Sequence, residues 1–178
     1  MSDIASMEYI RYACGASSLG AFIAAWSGDG LVHFEFVDGK KVGLGKLSDR
    51  FPDCLLLDES VGFASQVAEL SHLIDHPGEA SSIPLDLRGS DFEKRAWNVL
   101  RGIPAGATVS YGDIAARMGV RDVREVAAAI AANRVAILVP CHRVIKKDGS
   151  ISGYRWGVPR KRTLLGREDK ADGVKRAC

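Results

Sequence analysis

Residues 110–144 read SYGDIAARMGVRDVREVAAAIAANRVAILVPCHRV, and the way this run divides into elements decides the fold. Ser110 followed three residues later by Asp113 is a capping box in its acidic form. It opens a short helix whose apolar side is Ile114, Ala115 and Met118. Gly119 and Val120 make a tight turn, and Asp122 with Glu125 marks a second helix start that runs to about residue 133. Two short helices joined by a glycine turn form a helix-turn-helix signature, although many helical hairpins bind nothing.

The second helix has two unlike faces. Val123, Val126, Ala127 and Ile130 point one way, inward, while Arg124, Ala128, Ala131 and Ala132 point the other. A major groove is read by long polar side chains. One arginine on an otherwise slim face suits the minor groove, where a side chain can wedge into the base stack. A helix–helix packing face made of alanines is the alternative on these residues alone.

After this helix, residues 135–139 are a short apolar run, expected as a buried strand or extended segment. The run delivers Pro140-Cys141-His142-Arg143-Val144 to its end. A lone cysteine is ordinarily a small core hydrophobe. Here it follows a rigid proline, sits beside a histidine and precedes a basic loop, and cationic neighbours favour the nucleophilic thiolate. From residue 146 to 162 the chain carries Lys146, Lys147, Arg155, Arg160, Lys161 and Arg162 against the single acid Asp148. Such an excess fits a polyanion or a solvated face.

Upstream, Ser90 and Glu93 form another capping box before Phe92, Ala96, Val99 and Leu100, and Pro104-Ala105-Gly106 follows that helix. Residues 78–84 are polar with proline and glycine, a linker pattern. The chain therefore divides into residues 1–83, an N-terminal α/β domain with its linker, and residues 84–178. In the first part, residues 19–26 and 31–37 flank Ser27-Gly28-Asp29-Gly30 as a hairpin, with Val32, Phe34 and Phe36 on one face. Between Ser60 and His76, Phe63, Val67, Leu70 and Ile74 recur at helical spacing, and Pro77-Gly78 stops the helix.

A hydrophobic share of 47% over 178 residues, with a formal charge of only +2, excludes a disordered chain. Cys14, Cys54, Cys141 and Cys178 lie far apart without a C-x-x-C pair, so neither a zinc site nor a disulfide framework is expected. Cys14 and Cys54 read as structural and Cys178 as an exposed tail thiol. MSDIASMEYIRY lacks a signal-peptide pattern and no apolar run approaches membrane-spanning length. The expectation is a cytoplasmic monomer with reduced thiols and no membrane partner.

The motif Pro140-Cys141-His142-Arg143-Val144, with Asn133 before it and Gly153-Tyr154-Arg155-Trp156-Gly157 after it, resembles the active site of the O6-alkylguanine-DNA alkyltransferases, nearest among them to the Ada-like members. Tyr111, Arg124 and Glu168 stand in register, and the likeness extends from about Pro84 to Glu168, more faintly through the first part. It implies a small ribonuclease H-like α/β domain followed by a mostly helical, winged helix-turn-helix-like domain. It also implies double-stranded DNA containing O6-alkylguanine as the partner, no cofactor and no metal. Cys141 would accept the alkyl group, His142 would deprotonate it through a water, and Glu168 would polarise His142, the logic of a triad with a thiol nucleophile. Asn133 would tie the DNA-reading helix to the active-site segment. Arg124 would replace the flipped nucleotide, and Tyr111 would rotate the phosphate and donate toward guanine N3. Ala128, Ala131, Arg143 and Lys146 would contact DNA, with Pro140, Val144, Tyr154, Arg155 and Trp156 forming the base pocket. Glu125 stands where the family usually has a small residue, and capping with Asp122 would fold it back onto the helix end. Arg155 stands where some members have serine. A damage sensor that lacks the cysteine and a cysteine hydrolase are the rival readings, and modification of Cys141 separates the three.

Overall fold

The computed structural model describes residues 7–176; the expectation for Cys178 lies outside them. The fold is mixed α/β. Contacts group the chain into two compact units: residues through His72 with Ser82–Leu87, and Leu73–Ser81 with Arg88 onward.

The first unit is built on a four-stranded sheet of order β3-β2-β1-β4, from β1 (Tyr9–Ser17), β2 (Gly20–Trp26), β3 (Leu31–Phe36) and β4 (Leu55–Asp58). The expected hairpin is β2–β3, antiparallel with Phe22 opposite Phe36 and Ala24 opposite Phe34. β1 pairs antiparallel with β2 and parallel with β4. Helices α1 (Lys40–Arg50) and α2 (Ala64–Asp75) complete the element list before residue 90. Ile10, Tyr12, Ile23, Val32, Leu47 and Phe51 share one buried cluster.

The polar stretch of residues 78–84 is less of a free linker than its composition suggests. Leu31 N donates to Pro84 O at 2.8 Å and Asp86 N to Leu31 O at 2.9 Å, so Leu85 forms a parallel bridge at the β3 edge. Gly30 makes this approach possible: at φ 147°, a Cβ there would lie 2.5 Å from the Pro84 carbonyl oxygen.

The second unit is mostly helical: α3 (Asp91–Arg101), α4 (Tyr111–Met118), α5 (Val123–Ala131) and α6 (Val158–Arg176), with the two-residue strands β5 (Val109–Ser110) and β6 (Val144–Ile145) paired in parallel. Both capping boxes form, Ser90 with Glu93 and Ser110 with Asp113. Gly119 closes α4 in the left-handed region at φ 68°, where a side chain would be strained. Two expectations are corrected. Asp122 caps α5 by accepting from the Arg124 amide at 2.9 Å, with the Glu125 amide as a further donor, so it marks the helix start without a full capping box. The buried face of α5 is Val126, Ala129 and Ile130, while Val123 is exposed in the first turn.

Residues 135–139 form a buried turn, not a strand. Leu138 N donates to Ala136 O at 2.7 Å and Val139 N to Val135 O at 3.2 Å, with Ile137 at φ 67°. An apolar run of five residues cannot signal this, since burial is the same in either conformation. Among the described residues no helix is long and apolar enough to cross a membrane.

Trp97 joins α3 to α5: its indole Nε1 donates to the Ala129 carbonyl at 2.8 Å inside the core. Trp97→Phe keeps most of the apolar volume and removes the donor. Urea unfolding should show a loss of about 1–3 kcal/mol, the cost of an unpaired buried acceptor.

Candidate active site

Cys141 opens a single 3-10 turn, Cys141–Arg143, that follows Pro140 and leads directly into β6. All three residues are buried. Asn133, at the end of α5, holds the approach to this turn. Its Nδ2 donates to the Val139 carbonyl at 3.0 Å and lies 3.3 Å from Cys141 Sγ, while its Oδ1 accepts from the Val135 amide at 2.9 Å. One side chain thus fixes both ends of the 135–139 turn and touches the thiol.

Behind the turn lies Glu168 of α6. His142 Nε2 is 2.7 Å from Glu168 Oε1, and Gly106 N donates to Oε2 at 3.3 Å. Arg143 donates from Nε to both carboxylate oxygens at 3.1 Å and from a terminal nitrogen to Oε1 at 2.9 Å. Its terminal nitrogens also donate to the carbonyls of Ile103 at 2.6 Å and Pro77 at 3.1 Å. Arg143, expected at the DNA, is therefore not available to it. Its guanidinium is consumed as the counter-ion of a buried carboxylate.

Burial alone would raise the Glu168 pKa; the hydrogen bonds from His142 and Arg143 outweigh it and hold the carboxyl below its ordinary value. An ionised Glu168 takes the proton-bearing nitrogen of His142, so Nε2 donates and Nδ1 carries the lone pair. Nδ1 is buried and has no hydrogen-bond partner in the protein. Burial, only partly opposed by Glu168, lowers the His142 pKa, so the ring is a neutral acceptor at rest.

Cys141 opens onto a cavity of about 270 Å³ lined by Tyr111, Ala127, Ile130, Ala131, Gly153, Tyr154 and Arg155. Burial pushes the thiol up to about 11, outweighing the Asn133 donor and the nearby charges of Lys161 and Arg155. The resting thiolate suggested by the basic surroundings in sequence is thus replaced by a resting thiol. Tyr111 is raised by burial and by Cys141, and Tyr154 more strongly by burial, so both phenols keep their protons. The Tyr154 hydroxyl is buried without a hydrogen-bond partner, and its ring meets Trp156 edge-on at 5.1 Å.

The remaining expected site residues fall into distinct places. Tyr111, Ala131, Tyr154 and Arg155 line the cavity with Cys141. Pro140, Val144 and Trp156 are buried and are not among its lining residues. Ala128 and Arg124 are exposed on α5, and Arg124 is paired with Asp122 at 3.2 Å. Lys146 is exposed in a turn closed by its own amide on the Ser150 carbonyl at 3.1 Å. Lys161, counted in sequence with the basic run, is fully buried, while Arg160 beside it is half-buried and Arg162 exposed, so no local pattern marks it. Among the described residues no group of three or more His, Cys, Asp or Glu is placed to hold a metal ion.

The profile of a family described as "6-O-methylguanine DNA methyltransferase, DNA binding domain" matches residues 91–170. The "bifunctional transcriptional activator/DNA repair enzyme Ada" of Escherichia coli is 39% identical over 160 residues, 89% of this chain and 45% of that protein. A methylated-DNA–protein-cysteine methyltransferase of Mycobacterium leprae is 37% identical over 154 residues, 84% of this chain and 86% of that protein. The chain belongs to the methylated-DNA–protein-cysteine methyltransferase family. A crystal structure of Mycobacterium tuberculosis OGT in complex with DNA superposes with a TM-score of 0.74 at 32% identity, covering 90% of this chain and 93% of that one. The chain spans less than half the length of Ada. A family named for a protein cysteine directs attention to the described thiols. Cys14 and Cys54 are half-buried in the sheet unit, and of the three only Cys141 lines the cavity beside α5.

The buried His142 makes stability depend on pH with a defined sign. In the unfolded chain the ring takes a proton near pH 6.5, whereas in the folded protein it does so at lower pH. The unfolded state therefore binds protons first as pH falls, and stability is lost below about 6.5. Thermal unfolding from pH 7.5 to 5.5 should show a steeper fall for the natural protein than for His142→Asn; parallel curves would remove this assignment.

Proposed function

We propose that this chain repairs DNA by moving an alkyl group from O6 of guanine, and from O4 of methylthymine, onto Cys141 in a single irreversible turnover. The observation that carries the reading is a buried thiol facing a base-sized cavity beside a slim helix, with a neutral histidine fixed by a carboxylate next to it. On this reading residues 84–178 form the DNA-binding, alkyl-accepting domain. In it α4, the Gly119 turn and α5 act as a winged helix-turn-helix, with the loop after β6 as the wing. Residues 1–83 form a ribonuclease H-like supporting domain, and the protein acts as a monomer without a cofactor.

The O6 substituent lies within the stacked duplex, so the nucleotide must leave the stack before a buried sulfur can reach it. The exposed face of α5, Arg124 with Ala128 and Ala131, enters the minor groove, and Arg124 fills the space of the departed base. Lys146 adds a phosphate contact. In the cavity Tyr154 and Arg155 cover the base, while Trp156 and Pro140 hold the wall behind them. Val144, expected at the base, instead has its carbonyl on Lys161 and its amide on the Cys141 carbonyl, and it supports the turn from behind.

The resting thiol requires its proton to be removed as attack proceeds. His142 Nδ1 takes that proton through a water, and Glu168 stabilises the resulting imidazolium. Sulfur forms a bond to the alkyl carbon as the carbon–O6 bond breaks, and the electron pair stays with guanine. Tyr111 protonates guanine at N3 and is reprotonated from His142. One proton has left sulfur and one has reached the base, so charge balances. The product thioether has no hydrolysable bond, which accounts for one turnover.

The deciding experiment is intact mass after incubation with a short duplex containing O6-methylguanine, followed by peptide mapping. A gain of one methyl group on Cys141, lost in Cys141→Ser, is the expected result. Tight binding without mass gain would leave a recognition protein, and a transient acyl adduct a hydrolase. In single-turnover assays Tyr111→Phe should slow transfer on the order of 10²-fold, the usual contribution of a positioned proton donor.

A further inference from the structure

Lys161 stands apart from the basic run that contains it. It is fully buried on α6, and its ammonium donates to the carbonyls of Val144 at 2.5 Å, Ser152 at 3.1 Å and Gly153 at 3.1 Å. Three acceptors use all three of its protons. Val144 directly follows the turn that carries Cys141, and Gly153 lines the cavity that Cys141 also lines. Among the described residues no carboxylate pairs with this cation. If holding two loops together were its whole purpose, a neutral donor would do so without the cost of burying a charge.

We propose that Lys161 is a positioning residue of the alkyl-transfer site, tying the segment after the Cys141 turn to the Ser152–Gly153 segment and supplying a fixed buried cation to the charge that develops on Cys141 sulfur. The titratable group that acts on Lys161 is Cys141 itself: burial lowers the lysine pKa and the cysteine raises it. In return, Lys161 is the first of the charged groups that lower the Cys141 pKa, ahead of Arg155. Tyr111 and Tyr154 also face Cys141, as neutral phenols. Asn133 is the side-chain donor to its sulfur. Arg155 is exposed, so solvent screens it, whereas Lys161 acts from inside the protein. The inference rests on Cys141 being the reactive thiol.

The test uses iodoacetamide, a small electrophile that needs no DNA, with the rate at Cys141 followed by peptide mapping so that the other cysteines do not contribute. Rate against pH is compared for the natural protein, Lys161→Arg and Lys161→Met. Loss of the cation should move the Cys141 profile to higher pH, slowing alkylation about tenfold at a given pH for each unit of pKa. Lys161→Arg should recover most of that loss. If Lys161→Met does not fold, Lys161→Gln, which keeps a donor without the charge, takes its place. Superimposable profiles for the charged and uncharged variants would overturn the proposal. Transfer from O6-methylguanine is scored separately, so failure of the repair reading shows as no DNA-dependent methylation with the iodoacetamide shift intact.

Discussion

A single buried carboxylate organises the second unit. Glu168 of α6 is met by His142 and Arg143, some 25 residues earlier in sequence, and by the Gly106 amide, 62 residues earlier. Left alone in an apolar interior, that carboxylate would protonate instead of remaining charged. Arg143 balances it, and the balance has a consequence for chemistry. With Glu168 and Arg143 neutralising each other, a protonated His142 would be a net buried cation, so the ring rests neutral. The carboxylate still claims Nε2–H and thereby leaves Nδ1 as the acceptor. Arg143, however, competes for the same oxygens and weakens the pull of Glu168 on the ring. A ring that rests neutral with a free lone pair suits the proposed role of His142, a base only while a proton is in transit.

The same burial acts on the nucleophile in the opposite sense. A thiol held at about 11 is ionised in roughly one molecule in ten thousand at neutral pH. On the proposed reading, in which the acceptor is used once, this low resting reactivity protects the sulfur from stray electrophiles. In the proposed reaction, attack becomes favourable when the cavity is filled, water is excluded and the Asn133 amide and the Lys161 ammonium are left to stabilise the sulfur.

Local rules made much of the second unit legible. The Ser90–Glu93 and Ser110–Asp113 boxes, the Gly119 stop and the Pro140–Val144 motif depend on residues a few positions apart, and a sequence shows such spacings directly. Long-range pairings were not legible from the residues themselves, and the His142–Glu168 pair was expected only through the resemblance. Arg143 reads as a DNA contact because it sits beside the motif, and only the fold brings Glu168 to it. Lys161 reads as one more surface charge because nothing local distinguishes it from Arg160 and Arg162. In the first unit, β1 and β4 escaped notice for a related reason. β4 exposes Leu55 and Leu57 at the sheet edge and shows no apolar–polar alternation, and its identity comes from pairing with β1. α1, with Gly43 and Gly45 in its middle, breaks helix propensity and is held by packing on the sheet.

If Arg124 enters a duplex as proposed, its resting position bears on how a rigid helix can deliver the side chain. Its guanidinium lies on Asp122 at 3.2 Å, while the side chain is 92% exposed. An ion pair in that setting is worth only about 0–1 kcal/mol. Its release therefore opposes DNA entry little. The Asp122 carboxylate also accepts from the Arg124 backbone amide at 2.9 Å, and that bond does not depend on where the guanidinium goes. The cap can stay in place as the side chain swings away, keeping the first turn of α5 formed at the moment it meets the phosphates. Neutralising a phosphate releases counterions and grows weaker with salt, as does the Asp122 pair. The two effects oppose each other, and on the proposed reading the phosphate contacts involve more charges, so α5 would gain affinity for DNA as salt is lowered.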